Sequence, residues 1–294
     1  YSIRAIPIGG FVSIAGEEIS EEEREKTKGS NLQDKTVFQR FLVMFMGVGF
    51  NFIFAFVLLL FTGLIFGAPS TDPIINQVEE GYPAYEAGIT SGDEVLSLNG
   101  HKITYLEDIS LYLAIEDLSK PLTFDVKKPN GDINSYQVVP KKIKDDEGND
   151  KYAIGIALKA EVSRGLGKSI KYAFNEECAI FKQMFVVLGN LFTGGVKVSQ
   201  LSGPVGIYSV VGQMSHQGVS ALLCLTALLS INVGVINLLP FPAFDGGRIL
   251  FLIIEKIKGS PVDPKVENTI HSIGFILLIL LMLYVTFNDI LKLF

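Results

Sequence analysis

The chain has 294 residues, 48% of them hydrophobic and only 19% charged, with a mean hydropathy of +0.37. A soluble domain carries nearer a quarter charged residues, so this balance points to a membrane protein. A formal net charge of -6 with no basic stripe argues against nucleic acid as a partner, and the isolated Cys178 and Cys224 argue against a disulfide framework or a cysteine zinc site.

The chain opens on Tyr1, in sequence that already reads as strand. Residues 1–20 alternate around Gly9, Gly10 and Gly16, which predicts a hairpin, and the following run EEISEEEREKTK (17–28) reads as a solvated charged loop or short helix. From Phe41 to Phe66 there is no charge, and Arg40 stands just before. At about 1.5 Å per residue this run crosses a hydrocarbon core of ~30 Å, which predicts a transmembrane helix over 35–68. Its Gly47, Gly49 and Asn51 read as helix-packing features, because small residues admit a neighbouring helix and a membrane asparagine seeks an interhelical hydrogen bond.

Residues 72–160 change character: charges return and turn signals recur at EEGYP, SGDE, LNGH and KPNGD. Strands are predicted at 74–79, 94–98, 122–127, 133–139 and 152–158 with a helix near 105–117, a soluble β-rich domain inserted between membrane helices. Residues 161–217 read as a linker with an interfacial helix at 170–192 and a loop at LSGPVGI, 201–207. A second uncharged run, Val219 to Phe244, predicts a span over 218–245 that ends in an aspartate motif. A loop follows at 246–268, and a third run, Ile270 to Phe287, predicts a span over 269–290. Arg248, Lys256, Lys258 and Lys265 flank the same side as Arg24, Lys26, Lys28, Lys35 and Arg40. The positive-inside tendency assigns that side to the cytoplasm and places 72–217 outside.

Much chemistry is missing. His101, His216 and His271 have no histidine partner at i+4, so there is no HExxH pair; they read as surface, loop and interface residues. Neither a GxSxG elbow nor a Walker loop is present. What remains is NLLPFPAFDGGR (237–248). A carboxylate near bilayer depth costs roughly 2.5–3.5 kcal/mol, so Asp245 needs a reason to be there. Pro240 and Pro242 remove two backbone donors and open the helix, and Gly246 and Gly247 let the chain turn. Irregular backbone at that depth belongs in protein or beside a wet cavity. A carboxylate there can ligate zinc, although a catalytic zinc takes three protein ligands. Position alone leaves a capping or turn residue as the other reading. The amides of Asn232 and Asn237, five residues apart, could bond a peptide strand laid beside an opened helix.

SINVGVINLLPFPAFDGGRILF (230–251) resembles the aspartate motif of the site-2 proteases, intramembrane zinc metalloproteases, in their PDZ-containing bacterial branch of regulator-of-sigma-E-protease type. IPIGGFVSIAGEE resembles that family's membrane-associated β-hairpin, FQRFLVMFMGVGFNFIFAF its second helix and SGPVGI the segment before its third. INQVEEGYPAYEAGITSGDEVLSLNGHKI is similar to a circularly permuted PDZ domain. The likeness covers nearly the whole chain in the family's order. It departs at MGVGFN, which lacks a proline usual in relatives.

The resemblance implies a polytopic α-helical membrane protein of the bacterial cell membrane, with three transmembrane helices here, four in the full-length protein and a PDZ-like β-rich domain on the outer side. It implies Zn2+ as cofactor, Asp245 as the third zinc ligand, Asn232 and Asn237 holding substrate, and Gly9 and Gly10 in a hairpin that pairs with extended substrate. The implied substrates are single-pass membrane proteins such as an anti-sigma factor, or remnant signal peptides; the implied partners are the lipid bilayer and a peptide ligand of the PDZ domain. The family's HExxH helix, with two histidines and the glutamate that activates water, would precede Tyr1. This chain alone lacks it and is expected to be inactive. The alternative function is a catalytically inactive membrane scaffold that binds protein tails through its PDZ domain. A transporter would show repeat symmetry between its halves, and the sequence has none.

Overall fold

A computed structural model describes residues 32–144, 150–158 and 160–292. The hairpin expected around Gly9 and Gly10 and the charged run at 17–28 lie outside the described residues. Among those residues, three helices are long and apolar enough to cross a membrane: α1 (Val37–Phe66), α6 (Val219–Leu238) and α8 (Pro264–Leu291), the last from Lys265 onward. The chain divides into two compact units, Tyr1–Phe50 with Ile236–Ile279, and Asn51–Val235 with Leu280–Phe294.

In the second unit the later turns of α1 lead into a sheet region that opens and closes on one clasp. Strand β1 (Ala68–Pro69) follows α1 through Gly67, whose φ of +99° is one a side chain resists, and pairs antiparallel with β10 (Val162–Ser163). Between them lie β2 (Gln77–Val78), α2 (Pro83–Ala87), β3 (Glu94–Leu98), β4 (His101–Lys102), α3 (Leu106–Ile115), β5 (Leu122–Lys127), β6 (Ile133–Val138), β7 (Lys141–Lys144), β8 (Asp150–Ala153) and β9 (Ile156–Ala157). Strands β4-β3-β5-β6 form an antiparallel sheet, while β2 pairs with β9 and β7 with β8. The period-two pattern of LTFDVK puts Leu122, Phe124 and Val126 into a core with Ile75, Ile89, Val95, Leu98 and Ile109. The strands expected at 94–98, 122–127 and 133–139 form there to within a residue; the short β1, β4, β7 and β10 carry too few residues for a pattern to reveal.

Helix α4 (Leu166–Thr193) then runs back along the sheet region. Its charges suit neither a span nor a purely interfacial role. Lys171, Asn175 and Lys182 share one face, and each bonds the sheet region: Lys171 Nζ to Asp72 at 3.1 Å, Asn175 Nδ2 to Thr71 Oγ1 at 2.9 Å, and Lys182 Nζ to the fully buried Asp108 at 2.7 Å. On another face Tyr172, Ala173 and Ile180 pack with Ala55 and Leu59 of α1 and with Ala227 and Ile231 of α6. At Asn51 the main-chain carbonyl, rather than the side-chain amide, accepts the Ser230 hydroxyl at 2.9 Å, beside the close approach that Gly234 permits.

The structure differs from the sequence reading at three connections. The loop expected at 201–207 gives way at Pro204 to helix α5 (Pro204–His216), because Asp289 of α8 supplies the missing acceptor: its Oδ2 takes the N–H groups of Gly203 and Gly206, each at 2.8 Å. The second span does not run to Asp245; α6 stops at Leu238, where the prolines withdraw their donors. The loop expected at 246–268 contains α7 (Asp245–Lys258), whose apolar positions recur at helical spacing and whose last turn carries Lys256 and Lys258 before a left-handed Gly259.

Two outcomes follow for this unit. Replacing Asp289 by Ala leaves two donors unpaired and should cost about 1–3 kcal/mol, with Asn losing less, read as unfolding in detergent. Glu176 of α4, raised to about 7 by burial and then by the charge of Glu107, also neighbours Tyr172 and Cys224. The unfolded chain releases that proton near the ordinary carboxylate value, so its stabilising contribution is complete in acid and is lost as pH rises toward 7. Amide protection factors in α3 and α4, with the base catalysis of intrinsic exchange divided out, should therefore be larger at pH 5 than at pH 8, and Glu176→Gln should flatten the difference.

Candidate functional site

The first unit holds the helix break. After α6 the chain turns by short-range bonds, Phe241 N–H to Leu239 O at 2.7 Å and Phe244 N–H to Phe241 O at 3.2 Å, before α7 begins at Asp245. Asp245 thus opens a helix rather than closing one. Its carboxylate lies at the positive end of the α7 dipole, half-buried, and has neither hydrogen bond nor ion pair among the described residues. Burial pushes its pKa above the usual carboxylate value, whereas a cation alongside would favour the charged form. Gly47 of α1 faces this carboxylate: a Cβ there would stand 3.8 Å from Asp245 Oδ2, at ordinary contact distance.

The glycines of the motif serve close approach. A Cβ on Gly246 would run into the carbonyl oxygens of Leu238 and Leu239, and one on Gly247 would come within 2.5 Å of Phe241 O. On α8, Gly274 accommodates Pro242 in the same way. Between these fixed points Ala243 takes a φ of +87°, a left-handed conformation costing a residue with a Cβ roughly 1–2 kcal/mol. Its N–H donates to His271 Nδ1 at 3.1 Å. The ring of His271 packs against Phe251 of α7 with centroids 5.6 Å apart. Arg40 of α1 and Glu255 of α7 form a largely buried ion pair.

Asn237 lies in the last turn of α6 and Asn232 on the same helix but in the other unit; both are half-buried, and neither amide has a hydrogen-bond partner among the described residues. Gly9 and Gly10 lie outside the described residues. Sequence reasoning missed His271, which its place at the start of an apolar run had marked as an interface residue. The signal was its spacing from Gly274, one helical turn on, which puts both against the proline loop. The Arg40–Glu255 pair had no local signal, since its partners stand 215 positions apart.

As a metal centre this ground is partial. No group of three or more His, Cys, Asp or Glu side chains able to hold an ion occurs among the described residues. Asp245 fits the part of one carboxylate ligand, being accessible from one side, unpaired and held on fixed backbone; the described residues supply no others around it.

The profile of peptidase family M50 matches residues 1–281. The regulator of sigma-W protease RasP of Bacillus subtilis is 38% identical over 97% of this chain and 65% of its own length. The zinc metalloprotease RasP of Bacillus licheniformis is 38% identical over 88% of this chain and 61% of its own, and a putative zinc metalloprotease of Fusobacterium nucleatum, FN1322, is 37% identical over 100% and 84%. The chain therefore spans under two thirds of the length of the two Bacillus relatives. Among solved structures, the second domain of the Listeria protein Lin2157 covers 32% of this chain and 90% of its own at 18% identity and a TM-score of 0.24, a likeness that carries no argument.

The close approaches make a paired test. Gly246→Ala forces a Cβ onto two carbonyls and should cost at least about 1–3 kcal/mol, seen as a lower melting temperature in detergent. Gly49→Ala, whose Cβ would have no heavy atom within 4 Å, should not lower the melting temperature and gains up to about 1 kcal/mol of helix propensity.

Proposed function

The chain belongs to peptidase family M50, and from that premise we propose that the intact protein, as its gene encodes it, is a zinc-dependent intramembrane protease. It hydrolyses a peptide bond within a single-pass membrane substrate such as an anti-sigma factor or a remnant signal peptide. The observation that carries this reading is the Asp245 carboxylate, unpaired and half-buried on the first residue of α7, just after an unwound turn, in a chain with three membrane-length helices.

In this reading Asp245 is one of three protein ligands, and Gly47 of α1 faces its carboxylate. Bound zinc supplies Lewis acidity and lowers the pKa of its water toward ~7. A substrate helix must unwind before its peptide bond can be attacked, and an unwound segment needs hydrogen-bond partners. The free amides of Asn232 and Asn237 offer them, and the hairpin that the family resemblance implies around Gly9 and Gly10 would offer a strand edge. The positive-inside tendency of Arg40, Arg248, Lys256, Lys258 and Lys265 supports a cytoplasmic Asp245 end. The sheet region of 68–163 then stands on the outer side, as a PDZ-like size filter or ligand sensor of the bacterial cell membrane.

The test is Asp245→Ala in the intact protein. Zinc content should fall and cleavage of a membrane-embedded substrate should drop at least ~100-fold, with insertion into the membrane unchanged. Retained proteolysis would overturn the assignment.

A further inference from the structure

We propose that His271 is the positioning residue for the Asp245 carboxylate, acting through the backbone of Ala243. The inference rests on the reading of Asp245 as a metal ligand and goes beyond it, because His271 is neither part of that motif nor adjacent to it in sequence.

Among the described residues only Asn99 and Ala243 carry a positive φ without being glycine, and asparagine tolerates that conformation through its short polar side chain. Ala243 has no such means, so its conformation must be imposed by its surroundings. Two contacts from α8 impose it: Pro242 sits against Gly274, and the Ala243 N–H donates to His271 Nδ1 at 3.1 Å. Asp245 follows two residues later, so the path taken at Ala243 sets where α7 starts and where its first carboxylate points.

The imidazole is itself oriented. As an acceptor, Nδ1 carries no proton, which leaves the proton of the neutral ring on Nε2. Nε2 is buried without a hydrogen bond among the described residues, and Glu267 Oε1, one turn earlier on α8, stands 4.0 Å from it. Arg248 of α7 attracts Glu267 in turn. Phe251 packs on the ring. The ring is thus held by Phe251 and by its bond to the Ala243 N–H, with the charges of Glu267 and Arg248 nearby, at the turn that delivers Asp245. This is the kind of outer support whose loss costs a metal site ten- to a hundredfold in affinity.

The experiment uses the intact protein, with zinc affinity measured by competition with a chromophoric chelator and kcat and KM measured on a membrane-embedded substrate. His271→Phe keeps a ring in place and removes the acceptor; zinc affinity should fall about 10- to 100-fold, with kcat falling and KM staying within about threefold. His271→Asn sets an amide oxygen near the position of Nδ1 and should restore affinity to within about threefold of wild type. Adding Ala243→Gly to His271→Phe should recover at least about tenfold, because glycine takes the left-handed conformation without being held. Wild-type affinity in His271→Phe, or equal impairment in His271→Asn, overturns the proposal, as does failure of the glycine to rescue. If His271→Phe does not fold, His271→Gln takes its place: its oxygen lies one bond further out, and affinity should rank Asn above Gln, with the reverse order overturning the proposal. Asp245→Ala separates the two readings. If it leaves zinc affinity unchanged, the ligand reading fails. If it removes zinc while His271→Phe does not, only the positioning role fails.

Discussion

A helix that breaks among apolar side chains exposes backbone polar groups that no water is there to satisfy. Most of the first unit follows from that constraint at Leu239–Phe244. Prolines remove two of the donors outright, short bonds within the turn satisfy others, and the N–H of Ala243 is taken by a side chain from α8. The close fits at Gly246, Gly247 and Gly274 are the steric counterpart. Together they fix the backbone on which α7 begins, and an aspartate placed first on that helix inherits the fixed geometry.

The second unit meets the same requirement differently. Its apolar helices pack through small residues, while α4 carries a polar stripe toward the sheet region and an apolar face toward α1 and α6. Asp289, a charge inside a membrane-length helix, is retained because it caps the start of α5. The two aspartates near the apolar helices therefore differ in kind. Asp289 has both of its backbone donors at hydrogen-bonding distance, whereas Asp245 has no partner among the described residues. Only the second is chemically available.

Long uncharged runs made the three membrane-length helices legible in the sequence, because hydropathy over twenty residues outweighs local detail. The alternation in LTFDVK and EVLSL made the central strands legible for a similar reason. Helix boundaries near proline and glycine were not: whether Pro204 starts a helix depends on Asp289, more than eighty residues away, and whether Asp245 closes one helix or opens the next depends on the turn between. The same holds at the candidate site. Asp245, Asn232 and Asn237 stood out because polar groups in apolar runs are expensive, but the importance of His271 resides in a bond to a backbone N–H, which leaves no mark in its neighbouring sequence.

The clasp between β1 and β10 has a consequence for how this architecture varies. Ala68 and Ser163 are register partners, Ser70 N–H bonds Glu161 O at 2.8 Å, and the chain leaves and re-enters the helical framework at one point. Everything between is a cassette whose ends are already joined. Lengthening it changes closure entropy only slowly, as the logarithm of its length. Insertions, deletions or a second cassette can thus be accepted there without displacing the helices on either side, so the sheet region can diversify while α1 and α4 keep their contact.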